Sequence, residues 1–221
     1  MTEEEWFTSV DWLRMWHFAI EHVVSHRKVR LLAVAACREL LHMVEDYRLL
    51  RMLALAEEWA DETAQQDDEW WDRREDWKEE AAVLAQGLQD PLKSMAATAF
   101  SELANDGHKV GRAIEAVASA FGCPAMTAAV RPSHCPQVSR LIREVVGNPF
   151  RPITINPTWL TSTVVSLATG IYDEKAFDRM PILADALQDA DCDNEDILNH
   201  LRGPGPHVKG CHVLDLLLGK S

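Results

Sequence analysis

The chain has no long hydrophobic run. Its longest uninterrupted apolar stretch, Leu31 to Cys37, is seven residues, whereas a bilayer span needs about twenty, so no membrane span is expected. Positive charge is scarce too: 22 Lys and Arg stand against 35 Asp and Glu, a formal net charge of -13. Binding to a phosphate backbone would need a concentrated basic patch, and none is visible, so direct nucleic-acid binding is not expected. Five cysteines spread over 221 residues do not resemble a secreted disulfide framework, and reduced thiols are expected. The acidic start Met1-Thr2-Glu3-Glu4-Glu5-Trp6 lacks the basic and apolar regions of a secretory signal, so the expected compartment is the cytoplasm. Sustained period-two alternation is missing as well; Pro152-Ile153-Thr154-Ile155 is the only strand candidate.

What is present is helical periodicity on a 47% apolar chain, enough for a real core. Trp6, Val10, Leu13, His17 and Ile20 recur at helical spacing, with a break near Thr8-Ser9. Val29, Leu32, Ala33, Ala36, Leu40 and Val44 repeat the pattern around a small-residue centre that permits close helix approach. Leu49 to Ala60 forms a third amphipathic run, and further helices are expected over 91–103, 110–121, 138–146, 161–172, 181–190, 197–201 and 214–218. Asp178 and an Asp193/Asp196 pair are the expected caps of two of the later helices, with Pro181 in a first turn. The fold class is therefore all-α: a multi-helix bundle with a short-helix, Gly/Pro-looped C-terminal subdomain. Prolines around 123–136 place the expected division between a Trp-rich bundle, 1–135, and a C-terminal part, 136–221, the two forming one cooperative unit.

Chemistry-bearing residues concentrate in the last fifth. Cys192, His200, His207 and Cys211 are the correct ligand types for zinc, although a C-x7-H-x6-H-x3-C spacing is not a compact zinc motif. Cys211, preceded by Gly210 and the Gly203-Pro204-Gly205-Pro206 loop, falls at the first turn of the last helix. There the helix dipole would stabilise a thiolate, with His207 or His212 as a base; the plainer reading is a buried thiol. The same loop could be an anion-binding nest flanked by Arg202 and Lys209, or only a chain reversal, which is preferred because it lacks a phosphate-loop signature. Asp215 is expected to pair with Arg202 or Arg179. His17, His22, His26 and His42 lack the Glu-x-x-His pairs of bundle metal sites and are expected to be surface or core residues.

Three segments, Gly147-Asn148-Pro149-Phe150-Arg151-Pro152, Phe177 to Leu187, and Arg202-Gly203-Pro204-Gly205-Pro206-His207-Val208-Lys209-Gly210-Cys211, resemble an uncharacterised bacterial protein family. Trp12 and the stretch Arg27 to Cys37 fit the same pattern. The resemblance implies a single inherited unit over 1–221 and is uninformative about activity, cofactor and site; members of that family often carry tryptophan at the position of His212.

The functional expectation is a non-catalytic interaction or adaptor module for a basic protein partner. It rests on ten acidic against three basic residues in 61–80, with Trp70 and Trp71 among them, and Arg202, His207 and Lys209 as further binding candidates. An acidic mimic of nucleic acid is a variant of that reading. The alternative is an enzyme or sensor using Cys211 with His207, as a thiolate or within the Cys192/His200/His207/Cys211 metal set. No cofactor is expected under the first reading and zinc under the second. The oligomeric state is open.

Overall fold

A computed structural model describes residues 1–22, 25–41, 47–61, 75–80, 83, 98–103, 111–120 and 135–220. Among these residues the regular structure is helical, with no strand, so the chain is all-α. It divides into two compact units, Met1–Ile142 and Arg143–Ser221. The division falls inside a helix, whereas the expected boundary at 135/136 stands at that helix's N-terminus.

The first unit opens with α1 (Glu3–Thr8), closed at its start by a capping box: Thr2 accepts from the Glu5 amide, and the Glu5 carboxylate accepts from the Thr2 amide. The break expected near Thr8-Ser9 is there, and α2 (Trp12–His22) follows, burying Trp12, Met15, Trp16 and Ala19. Ser25 caps α3 (His26–Arg38), whose residues Leu31 to Cys37 are all buried. Its small side chains let α4 (Tyr47–Asp61) and α5 (Gly111–Ala120) pack on it. The one strongly buried acid of α4, Glu57, is met by two nitrogens of Arg38, Nη2 at 2.7 Å and Nε at 3.1 Å. Trp77 is buried against Trp59 with ring centroids 4.8 Å apart. Helix α6 (Pro136–Val146) then carries the chain across the division.

The second unit is built from α7 (Ser162–Glu174), α8 (Met180–Asp189), α9 (Glu195–Arg202) and α10 (His212–Leu218). Helix α7 packs on α8 and α10, and α8 on α9. Their apolar stripes meet in one core that includes Val164, Ile171, Met180, Leu183, Leu187, Ile197, Leu201, Val213, Leu214 and Leu217. Short helices such as α9 and α10 are marginal alone, so this shared core is what holds them. The strand candidate at 152–155 is instead an extended segment, with Ile153 and Ile155 packed on the core. Prolines 149, 152 and 157 keep it extended while no described strand lies beside it to pair with.

Two expected caps are corrected. Asp178 lies within a 3-10 turn, Phe177–Arg179, and α8 begins without a side-chain cap, its start set by Pro181. At α9 the cap is Asn194, not Asp193: the Asn194 side chain accepts from the Ile197 amide at 3.1 Å. Asp215 is buried, and neither arginine proposed for it is its partner in an ion pair, since Arg179 pairs with Glu174 and Arg202 with Asp185. Replacing Asn194 by Ala is expected to cost ~0.5–2 kcal/mol, and Asp193→Ala less than about 0.5. Urea unfolding followed by far-ultraviolet circular dichroism checks this, and equal losses in the two variants would contradict the assignment.

Candidate metal centre

Four side chains from three helices and a loop converge in the second unit. Glu144 lies in the last turn of α6, His200 in the last turn of α9, His207 in the loop after it, and Cys211 at the N-cap of α10. One ligand atom from each, a carboxylate oxygen, two imidazole nitrogens and a sulfur, lies within 4.8 Å of all the others. The side chains of Glu144 and His207 are 4% and 8% exposed, that of His200 18%, and Cys211 is fully buried.

Local chemistry explains each placement. The loop reverses direction through Gly205, whose φ of +80° is a conformation that favours glycine. A side chain there would also crowd the His207 backbone nitrogen, 2.5 Å from the position of its Cβ. The reversal brings His207 Nδ1 to 3.2 Å from Glu144 Oε1, and its Nε2 to 3.2 Å from the Gly203 carbonyl. His200 Nε2 is shared, 3.1 Å from Cys211 Sγ and 3.5 Å from Glu144 Oε2. A fifth side chain, His212, donates from Nδ1 to the backbone carbonyl of Glu144 at 2.9 Å and sets its ring against His200, centroids 4.2 Å apart.

The electrostatics follow from burial opposed by pairing. Burial pushes the Glu144 carboxyl up, but hydrogen bonds from His200 and His207 and their charges outweigh it and hold it at about 2. For His207 burial acts downward and is outweighed by the hydrogen bond and charge of Glu144 and by the Gly203 carbonyl, so its pKa is raised. Cys211 is raised well above an ordinary thiol, first by burial and then by the Glu144 charge; the Leu214 and Val213 amides pull the other way without prevailing. The first-turn amides therefore do face the sulfur as the sequence suggested, yet a low-pKa thiolate is not the outcome.

The structure thus brings together His200, His207 and Cys211 from the expected metal set and leaves out Cys192. That thiol is packed in the apolar core with its pKa raised by burial. Its place is taken by Glu144, which sequence reasoning passed over. The available signal was an acid three residues after Leu141, beside the apolar stripe Val138, Leu141, Ile142 and Val145, all of them buried. The base expected for Cys211 is also different: His200, not His207, is at the sulfur. Of the two cations expected to flank the loop, Arg202 bonds Asp185 and Gln188, and Lys209 lies over the Tyr172 ring at 4.9 Å. Trp70, Trp71 and most of the acidic stretch 61–80 lie outside the described residues. His17, His22 and His26 are exposed; His42 lies outside the described residues.

Comparison with family models, with curated proteins and with solved structures finds no match. Among the described residues no helix is long and apolar enough to cross a membrane.

The pairing makes the metal-free protein pH-sensitive in a defined way. Glu144, held at about 2 against an ordinary 4.5, contributes stability that is complete above 4.5 and lost as pH falls through about 2. His207, raised above its ordinary 6.5, contributes stability that is complete below 6.5 and lost as pH rises through its folded value. Chelator-treated protein should therefore hold its melting temperature between these limits and lose it on either side. Glu144→Gln should flatten the acid decline; an acid limb unchanged in that variant would contradict the account.

Proposed function

We propose that the second unit is a metal-binding module in which Glu144, His200, His207 and Cys211 take one divalent transition-metal ion, zinc by ligand type. The observation that carries this reading is the double use of His200 Nε2. The sulfur and the carboxylate both lie at that one nitrogen, at 3.1 and 3.5 Å. In a nucleophile–base–carboxylate relay the acid would hold the other ring nitrogen, leaving the first for the nucleophile. Here the donors converge on a common point instead, which is what a cation requires. A buried sulfur likewise suits a ligand better than an attacking group.

Zinc bonds of about 2.0–2.3 Å in a tetrahedron imply ligand-to-ligand edges of about 3.3–3.8 Å; three of the contacts, at 3.1, 3.2 and 3.5 Å, lie near the short end of that range, and all four ligand atoms lie within 4.8 Å of one another, so binding an ion requires small side-chain adjustments. His207 is supported in the manner of a ligand: Nε2–H donates to the Gly203 carbonyl, leaving Nδ1 directed at the cluster. One carboxylate and one thiolate neutralise a divalent ion, so a buried site carries no net charge. Four protein ligands fill a tetrahedron, and the role supported is structural: the ion ties α6, α9, the loop and α10 together.

The purified full chain is expected to bind one equivalent of zinc, and of cobalt(II) with tetrahedral visible bands and a thiolate-to-cobalt charge-transfer band. Cys211→Ser should abolish the charge-transfer band, and His207→Ala should weaken binding by at least tenfold. At a hundredfold excess of free zinc over Kd the melting transition should gain about 2.7 kcal/mol. Sub-stoichiometric metal, with melting unaffected by zinc or chelator, would overturn the reading.

A further inference from the structure

Resting on that metal-binding reading, we infer that His212 is a positioning residue that sets the geometry of three of the four ligands without being one itself, and that Gly147 exists to make room for it.

The four carbonyls at the end of a helix lack intrahelical partners. At the end of α6 the Arg143 carbonyl is taken by the Gly147 amide at 2.8 Å. The next carbonyl, that of Glu144, is taken by His212 Nδ1–H at 2.9 Å. The histidine therefore grips the backbone of the residue whose carboxylate enters the cluster, and spends on that bond the nitrogen it would need as a ligand on that side. The same ring stands edge-on to His200, with centroids 4.2 Å apart and planes at 64°. That contact restricts rotation of the imidazole whose Nε2 lies between Cys211 and Glu144. His212 is also peptide-bonded to Cys211, so one residue holds the backbone of one ligand, the ring of a second and the chain position of a third.

Gly147 supplies the space. Its φ is +73°, and a Cβ built there would stand 2.7 Å from His212 Cδ2 and 2.9 Å from Cγ. Any side chain at 147 would both strain the backbone and push the ring away from Glu144 and His200. The glycine that ends α6 and the histidine that begins α10 are thus one device, separated in sequence and joined at the cluster.

Outer-shell partners of metal ligands are worth roughly 10- to 100-fold in affinity, and the test reads that number. Zinc affinity of the full chain is measured by competition with a chromophoric chelator, and the cobalt(II) spectrum is recorded, for the unaltered protein, His212→Ala and His212→Asn. The Asn side-chain amide can donate to the Glu144 carbonyl from nearly the position of Nδ1. The expected result is binding weakened by about 10- to 100-fold and altered cobalt bands in His212→Ala, with His212→Asn recovering most of the affinity. If His212→Ala fails to fold, His212→Phe, which fills the space and has no donor, replaces it in the same comparison. Equal affinity in the unaltered protein and the donor-less variant, or equal weakness in that variant and His212→Asn, would overturn the inference. Failure of the metal-binding reading is distinct, since the unaltered protein would then bind no stoichiometric metal.

Discussion

The candidate site of the second unit is organised around a buried carboxylate, that of Glu144. Glu144 is 5% exposed, and an unpaired carboxylate in that position would cost several kcal/mol. The chain meets it with two imidazoles delivered from different places, His200 on α9 and His207 on the loop beyond it. His207 could not arrive unless the loop from 203 to 210 reversed as it does, and the last helix, with Cys211 at its N-cap, begins where that reversal ends. The cluster and the topology of α9, the loop and α10 are therefore the same constraint seen twice.

A second buried acid shows why the choice of partner matters. Glu57 is neutralised by Arg38, and guanidinium, permanently protonated and without a lone pair, makes that pair purely structural. Glu144 is neutralised by histidines, each of which can give up a proton and present a lone pair. Adding a buried thiol at 3.1 Å from one of them converts a paired carboxylate into a set of four donors. Two acids of similar burial thus have different chemical potential because of what faces them.

Much of the fold was legible. Helical periodicity alone assigned α2, α3 and α4, the α1–α2 break, and the short helices of the C-terminal part, because each apolar stripe is encoded within one local segment. Caps were less legible: Asp178 and Asp193 were reasonable by residue type, yet Pro181 and Asn194 set those starts, since neighbouring acceptors compete and backbone direction decides among them. Of the site, His200, His207 and Cys211 were visible as ligand types within a dozen residues. Cys192 was included on the same reasoning and is core, and Glu144, more than fifty residues upstream, carried no local mark beyond its place beside an apolar stripe.

The sequence by itself determined the helical class, the placement of most helices and the concentration of histidine and cysteine near the C-terminus, because those properties are written in spacings of three, four or a few residues. Tertiary structure alone decided which acid joins the cluster, which histidine faces the sulfur, and that His212 braces the site from outside it. Those are matters of distance between segments remote along the chain, set by how α6, α9 and α10 share space, and no local periodicity encodes them.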